Sequence, residues 1–171
     1  MSYITLEGKI VFDPKDKTTK HKFQASWKRM AMVVFSGDDS EYYAWFIKKR
    51  FNITLNPPLR GAHISFINDS LRDINGGEGT EKERANMWEE LKKKYDGKSI
   101  SITMSTDVRT DGTHWWLVIP EEERVELHDI RTQIGLGRPF YGIHMSLGFA
   151  NEKNIDHSNY IHRLIQKNLV V

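Results

Sequence analysis

The chain has 171 residues, 39% hydrophobic and 28% charged, which is enough apolar content for a packed core and argues against disorder throughout. Twenty-five Lys and Arg against 23 Asp and Glu leave a formal charge of +2, a mild bias and not a nucleic-acid footprint in itself. The lack of cysteine excludes a disulfide scaffold, a thiol nucleophile and Cys-ligated metal centres.

The length suits a single domain, here expected to span 1–171, or two closely packed lobes. No apolar stretch is long enough to span a bilayer. The opening residues alternate polar and apolar types without the apolar block of a signal peptide, so a soluble, cytoplasmic protein with no membrane association is the expectation.

Tyr3 to Phe12 reads as a strand, and Asp13 to Arg29 as a polar, basic stretch. Met30 to Phe35 is a continuous apolar run of the buried-strand type. Gly37 to Ser40 supplies a turn and a helix cap, after which Tyr43, Phe46 and Ile47 recur at helical spacing within about Glu41 to Arg50. Asn56-Pro57-Pro58 blocks further helix, and Gly61 to Ile67 reads as a strand. Asn68 to Gly79 is a loop. Thr80 and Glu83 then form a capping box for a helix that buries Ala85, Trp88, Leu91 and Tyr95 and stops at Gly97. Lys98 to Ser105 alternates as a strand, Asp111-Gly112 turns, and Thr113 to Ile119 is a strand closed by Pro120. That proline opens an acidic helix running to about Ile134, which Gly135, Gly137 and Pro139 end. Tyr141 to Phe149 is a strand, and a last helix covers roughly Asp156 to Lys167.

One order of elements occurs twice. Strand, helix, Pro/Gly break and His-bearing strand run once over Met30–Ile67 and again over Thr113–Phe149. The expected fold is therefore α+β and bilobal, with duplicated antiparallel sheets related by a pseudo-two-fold axis and helices on the outside. Each block closes on apolar-His-apolar-Ser-apolar: Ala62-His63-Ile64-Ser65-Phe66 and Ile143-His144-Met145-Ser146-Leu147. Strand side chains alternate, so His63 and Ser65 share one face, as do His144 and Ser146, roughly 6.5–7 Å apart along each strand. If the lobes face one another, two imidazoles and two hydroxyls line one cleft. Such a cleft suits phosphodiester transfer without a metal. An imidazole titrates near neutrality, at about 6.5, so one can take a proton and the other give one. The hydroxyls can hold non-bridging phosphate oxygens.

Paired motifs of this kind resemble those of the 2H phosphoesterases, in which two His-Φ-Ser/Thr-Φ motifs lie on opposed strands of a duplicated α+β fold. The matching residues are His63-Ile64-Ser65-Phe66 and His144-Met145-Ser146-Leu147. The resemblance implies general base and acid roles for His63 and His144, and phosphate-binding roles for Ser65 and Ser146. Base and acid are interchangeable on paper. Both motifs carry Ser where Thr is commoner, which keeps the hydroxyl and loosens its rotamer. The segments Asp111–Leu117 and Pro139–Asn151 look most like the phage anti-CBASS group, whose members hydrolyse cyclic oligonucleotide second messengers made by bacterial defence enzymes. The implied activity is cleavage of 3′-5′ phosphodiesters in such messengers, in immune evasion, within the host cytoplasm if phage-encoded. The alternatives are an RNA 2′,3′-cyclic phosphodiesterase of RNA end-processing and a nucleotide-binding sponge without catalysis. The expected partner is accordingly a cyclic oligonucleotide or an RNA with a 2′,3′-cyclic phosphate; no obligate protein partner is evident.

Trp27, beside Lys28 and Arg29, is a candidate for base stacking, with a packing role as the alternative. Trp115 and Trp116 point to opposite faces, so one at most meets the cleft; Trp116 is the substrate-binding candidate. Tyr141 reaches the cleft only if Gly142 permits a bulge. Arg131 and Arg138 are candidate phosphate ligands, with a surface role as the alternative. His114 is a third polar candidate for the cleft, a structural role being the simpler reading. His21, His128, His157 and His162 lack metal-ligand spacing, and neither a zinc site nor a cofactor is expected.

Overall fold

The computed structural model describes residues 2–14, 29–58, 60–68, 81–139 and 142–150, and within 81–95 the side chains of 83 and 86–95. Trp27, Tyr141, Thr80, the loop up to Gly79, the side chain of Ala85 and the helix expected near Asp156–Lys167 lie outside those residues.

The protein is α+β: eight strands in one curled antiparallel sheet with three helices among the described residues. The strands are β1 (Tyr3–Phe12), β2 (Met30–Val34), β3 (Leu55–Asn56), β4 (His63–Asn68), β5 (Ser99–Ser105), β6 (Val108–Thr110), β7 (His114–Val118) and β8 (His144–Ala150). Their order across the sheet is β5-β1-β2-β4-β8-β7-β6, with β3 added to β8. The helices are α1 (Gly37–Phe51), α2 (Glu81–Tyr95) and α3 (Val125–Gln133). None is long and apolar enough to cross a membrane.

The register explains why this arrangement holds. Ile10, Val33, Ile64, Met145, Leu117 and Val108 form one row of partners across six strands, and all six are buried. Fully burying such a side chain contributes about 1.5–3 kcal/mol. Slipping any central strand by one residue turns its share of the row to the opposite face. Summed over the row, the loss is of the order of a whole domain's stability, about 5–15 kcal/mol. The helices complete this side: α1 touches β8, α3 touches β4, and α2 touches β1. Phe12 meets Trp88 of α2 at 4.8 Å between ring centroids.

Several expectations shift. Gly37 to Ser40, expected as a turn, is the first turn of α1, because Ser36 takes the cap and accepts from the Asp38 N–H at 3.3 Å. The helix expected from Pro120 begins instead as a 3-10 turn over Glu121–Arg124 and becomes α-helical only at Val125. That turn serves β5, an outermost strand of the sheet: the Thr103 N–H donates to the Glu123 carboxylate at 2.8 Å. Lys92, in the last turn of α2, pairs with Asp13 at 2.9 Å, and Trp88 Nε1 donates to the same oxygen at 3.1 Å. The short strands β3 and β6 are additions to the expected set.

Candidate active site

The row beside the buried one has the opposite character. Lys9, Val34, His63, Ser146, Trp116 and Arg109 are register partners in that order across β1, β2, β4, β8, β7 and β6. Partners in an antiparallel pair share a face, so these six stand together on the side away from the buried row. His63, Ser146, Trp116 and Arg109 are half-buried, and Lys9 is exposed.

The two His-x-Ser strands are therefore hydrogen-bonded neighbours at the centre of the sheet, side by side rather than across a gap between lobes. His63 lies opposite Ser146. Continuing that register by two residues sets Ser65 level with His144. Directly opposed residues have Cβ atoms about 4.5–5.5 Å apart and diagonal ones about 7–8 Å. On that geometry each imidazole stands beside the other strand's hydroxyl, with the two imidazoles on the longer diagonal. All four side chains are half-buried, while Ile64 and Met145 between them are fully buried.

The same local devices precede and follow both motifs. The segments Pro58-Leu59-Arg60-Gly61-Ala62-His63 and Pro139-Phe140-Tyr141-Gly142-Ile143-His144 share the pattern Pro-x-x-Gly-Φ-His. The Gly61 N–H donates to the Pro58 carbonyl at 3.1 Å, and the Gly142 N–H to the Pro139 carbonyl at 3.2 Å. Both glycines sit at positive φ, 69° and 68°, a conformation that favours a residue without Cβ. Beyond each serine the register shifts by one residue, between Ala31 and Met32 for β4's partner and between Trp115 and Trp116 for β8's partner. These shifts leave Phe66 and Leu147 as the extra residues of two bulges, directly after Ser65 and Ser146. The repeated Pro-x-x-Gly was visible in the sequence and is the signal that sequence reasoning missed.

The surroundings of the two histidines differ. His63 Nδ1 lies 2.8 Å from the Gly61 carbonyl oxygen. A carbonyl only accepts, so Nδ1 carries the proton and Nε2 is the lone-pair nitrogen of the neutral ring. Burial holds the His63 imidazole below its ordinary 6.5; the Gly61 bond offsets part of this, and the charge of Arg60 lowers it further. The His144 ring instead lies against Trp116, with centroids 5.8 Å apart and planes tilted by 54°.

The remaining candidates are placed as follows. Trp115 is in the core against Phe51, at 5.3 Å, while Trp116 is on the histidine face. Arg131 is buried, so the candidate phosphate ligand of the sequence reading is structural. Its Nε donates to the Gly137 carbonyl at 2.8 Å and its NH1 to the Phe66 carbonyl at 2.6 Å, which ties α3 to the bulge after Ser65. Arg138 is exposed in the loop after α3, where its charge bears on His128. His114 is exposed and bonds Asp111, Nδ1 to Oδ2 3.1 Å, in the β6–β7 turn. There burial raises the Asp111 carboxyl, but bonds from the His114 and Thr113 N–H groups and the His114 ring outweigh it and leave the carboxyl below its ordinary value. Arg109, on the histidine face one strand beyond Trp116, was not among the sequence candidates. Among the described residues no cluster of three His, Asp or Glu side chains is placed to hold a metal ion.

No known protein family, curated protein or solved structure matches this chain.

Proposed function

We propose that this protein is a phosphodiesterase that cleaves 3′-5′ phosphodiester bonds, with cyclic oligonucleotides as its substrate class and the paired His-Ser strands as its catalytic centre. The observation that carries the reading is the pairing of His63 with Ser146 on adjacent central strands, which gathers two imidazoles and two hydroxyls on one half-buried face. The reading includes an internal duplication, β2–α1–β4 and β7–α3–β8. It is supported by the matched turns before each histidine and the matched bulges after each serine.

The unequal environments supply a division of labour. His63 is neutral near pH 7 with its Nε2 lone pair available, which suits the base. His144, the other imidazole of the pair, with the ring of Trp116 beside it, takes the role of the acid. In the reaction His63 Nε2 takes the proton of the ribose 2′-hydroxyl. The 2′-oxygen forms a bond to phosphorus while the bond from phosphorus to the 5′-oxygen breaks. His144 gives its proton to that departing oxygen. The products are a 2′,3′-cyclic phosphate end and a 5′-hydroxyl. Ser65 and Ser146 donate to the non-bridging oxygens, where charge grows in the transition state. The protein's own groups thus supply both proton transfers and the oxygen contacts.

The test is chromatography of cyclic di- and trinucleotides, and of RNA ending in a cyclic phosphate, after incubation with the protein, with and without EDTA. Cleavage that persists in EDTA and drops on the order of 10²-fold or more in both His63→Ala and His144→Ala is the expected result. Unchanged turnover in either variant defeats the mechanism. Tight binding with intact ligand makes the protein a sponge, and loss of activity with chelator moves the chemistry to a metal.

A further inference from the structure

The histidine row is not symmetric about its centre. On the His63 side the next residue in the register is Val34 and then Lys9, neither of them aromatic. On the Ser146 side come Trp116 and then Arg109, the first a flat aromatic surface and the second a cation, in register on successive strands. In β6 the neighbours of Arg109, Val108 and Thr110, are both buried, which leaves Arg109 as that strand's one residue on the histidine face. Strands lie about 4.8 Å apart, so Arg109 stands about 10 Å across the sheet from Ser146, with Trp116 between them. One nucleoside and a flexible arginine side chain together bridge that span.

The geometry points to a subsite for the nucleoside on the leaving-group side of the cut: Trp116 stacks its base, and Arg109 holds the phosphate on its far, 3′ side. This rests on the reading of His144 as the acid, since the 5′-oxygen it protonates belongs to that nucleoside. The site then recognises a nucleoside flanked by phosphates on both sides. Interior linkages of linear RNA and every linkage of a cyclic oligonucleotide meet that condition. A terminal 2′,3′-cyclic phosphate does not, because no nucleoside follows it. Base stacking on an aromatic residue tolerates any base, whereas a guanidinium on a phosphate gives a bidentate, charge-assisted contact.

The experiment compares a dinucleotide with the same dinucleotide carrying a 3′-phosphate, in two forms. The ribose forms are assayed for cleavage. The 2′-deoxy forms, which lack the attacking hydroxyl, are titrated by calorimetry. In the wild type the added phosphate raises kcat/KM and deoxy affinity by about tenfold. In Arg109→Gln the ratio between the two ligands falls towards one, and in Arg109→Lys it is intermediate, with thermal denaturation reporting that each variant is folded. Trp116→Ala weakens both deoxy ligands by about fivefold or more while leaving their ratio in place. Equal handling of the two dinucleotides by the wild type overturns the subsite, as does an unchanged ratio in Arg109→Gln. If phosphate-dependent deoxy binding appears and no ribose form is cut, the subsite stands and the catalytic reading falls. A cyclic dinucleotide run beside the linear 3′-phosphate form separates the two sources of the same chemistry: cyclic preference shows as a higher kcat/KM at equal dependence on Arg109.

Discussion

The two histidines share a motif and differ in what surrounds them, and that difference is open to measurement. A leaving group that departs without a proton dispenses with the acid but not with the base. On a ribonucleoside 3′-(p-nitrophenyl phosphate), His144→Ala should regain most of its lost rate relative to wild type, while His63→Ala stays depressed by on the order of 10²-fold. Rescue of His63→Ala instead reverses the roles. The proton equilibrium of His63 gives a second, independent prediction. Its folded pKa lies below the ordinary 6.5, so the folded protein binds this proton less readily than the unfolded chain does. The stability tied to its neutral ring is present above pH 6.5 and is lost as pH falls through the folded value. Thermal midpoints taken downward from pH 7.5 should therefore fall more steeply in wild type than in His63→Gln. Parallel curves would mean that His63 is no less ready to charge in the fold than out of it.

At the scale of elements, the glycines near the site have specific duties. Gly148 has φ +147°, and a Cβ there would lie 2.5 Å from the Asn56 carbonyl oxygen, where β3 crosses onto β8. Gly148→Ala should cost about 1–3 kcal/mol, read by chemical denaturation, with the loss centred on the β3–β8 contact. Gly61 has open space around its missing Cβ. Gly61→Ala therefore pays only the left-handed backbone penalty, about 1–2 kcal/mol, and the carbonyl that orients His63 shifts with it. At the sheet edge, Glu123→Ala removes the acceptor for the Thr103 N–H and should cost about 1 kcal/mol, visible as faster hydrogen exchange at Thr103.

The long strands and the His-Ser faces were legible because alternation is a local signal: Ile64 and Met145 are flanked by polar residues on both sides, and the sheet follows that period. The features that escaped depend on partners distant in sequence. β3 spans two residues and exists because β8 accepts it; β6 spans three and exists because β7 does. Arg109 carried no signal in the sequence; only the register sets it beside Trp116. Arg131 read as a candidate phosphate ligand or a surface cation, and is neither, because the Phe66 and Gly137 carbonyls hold it in the interior.

At the scale of the whole molecule, the two blocks are interlocked. β4 of the first pairs with β8 of the second, α1 of the first touches β8, and α3 of the second touches β4. Each His-Ser strand thus rests partly on the helix of the other block. Stability and site assembly should then be lost together: a chain ending after Thr110 lacks β7, β8 and α3, leaving Ile64 without its Met145 partner. Circular dichroism of that fragment should show no cooperative unfolding transition, and a sharp one would mean that the first block stands alone. Arg131 adds a second tie between the blocks, a buried guanidinium that donates to a backbone oxygen of β4 at the bulge, so its replacement should loosen the segment carrying Ser65 before it affects the rest.

The hydrogen-bonded join between β4 and β8 decides what kind of machine this protein can be. Enzymes that hold their reactive groups on separate bodies grip and release substrate by swinging those bodies apart. Here the spacing of the two His-Ser pairs is set by backbone bonds between neighbouring strands of one sheet, so the proposed catalytic floor is an anvil of fixed gauge rather than a pair of jaws.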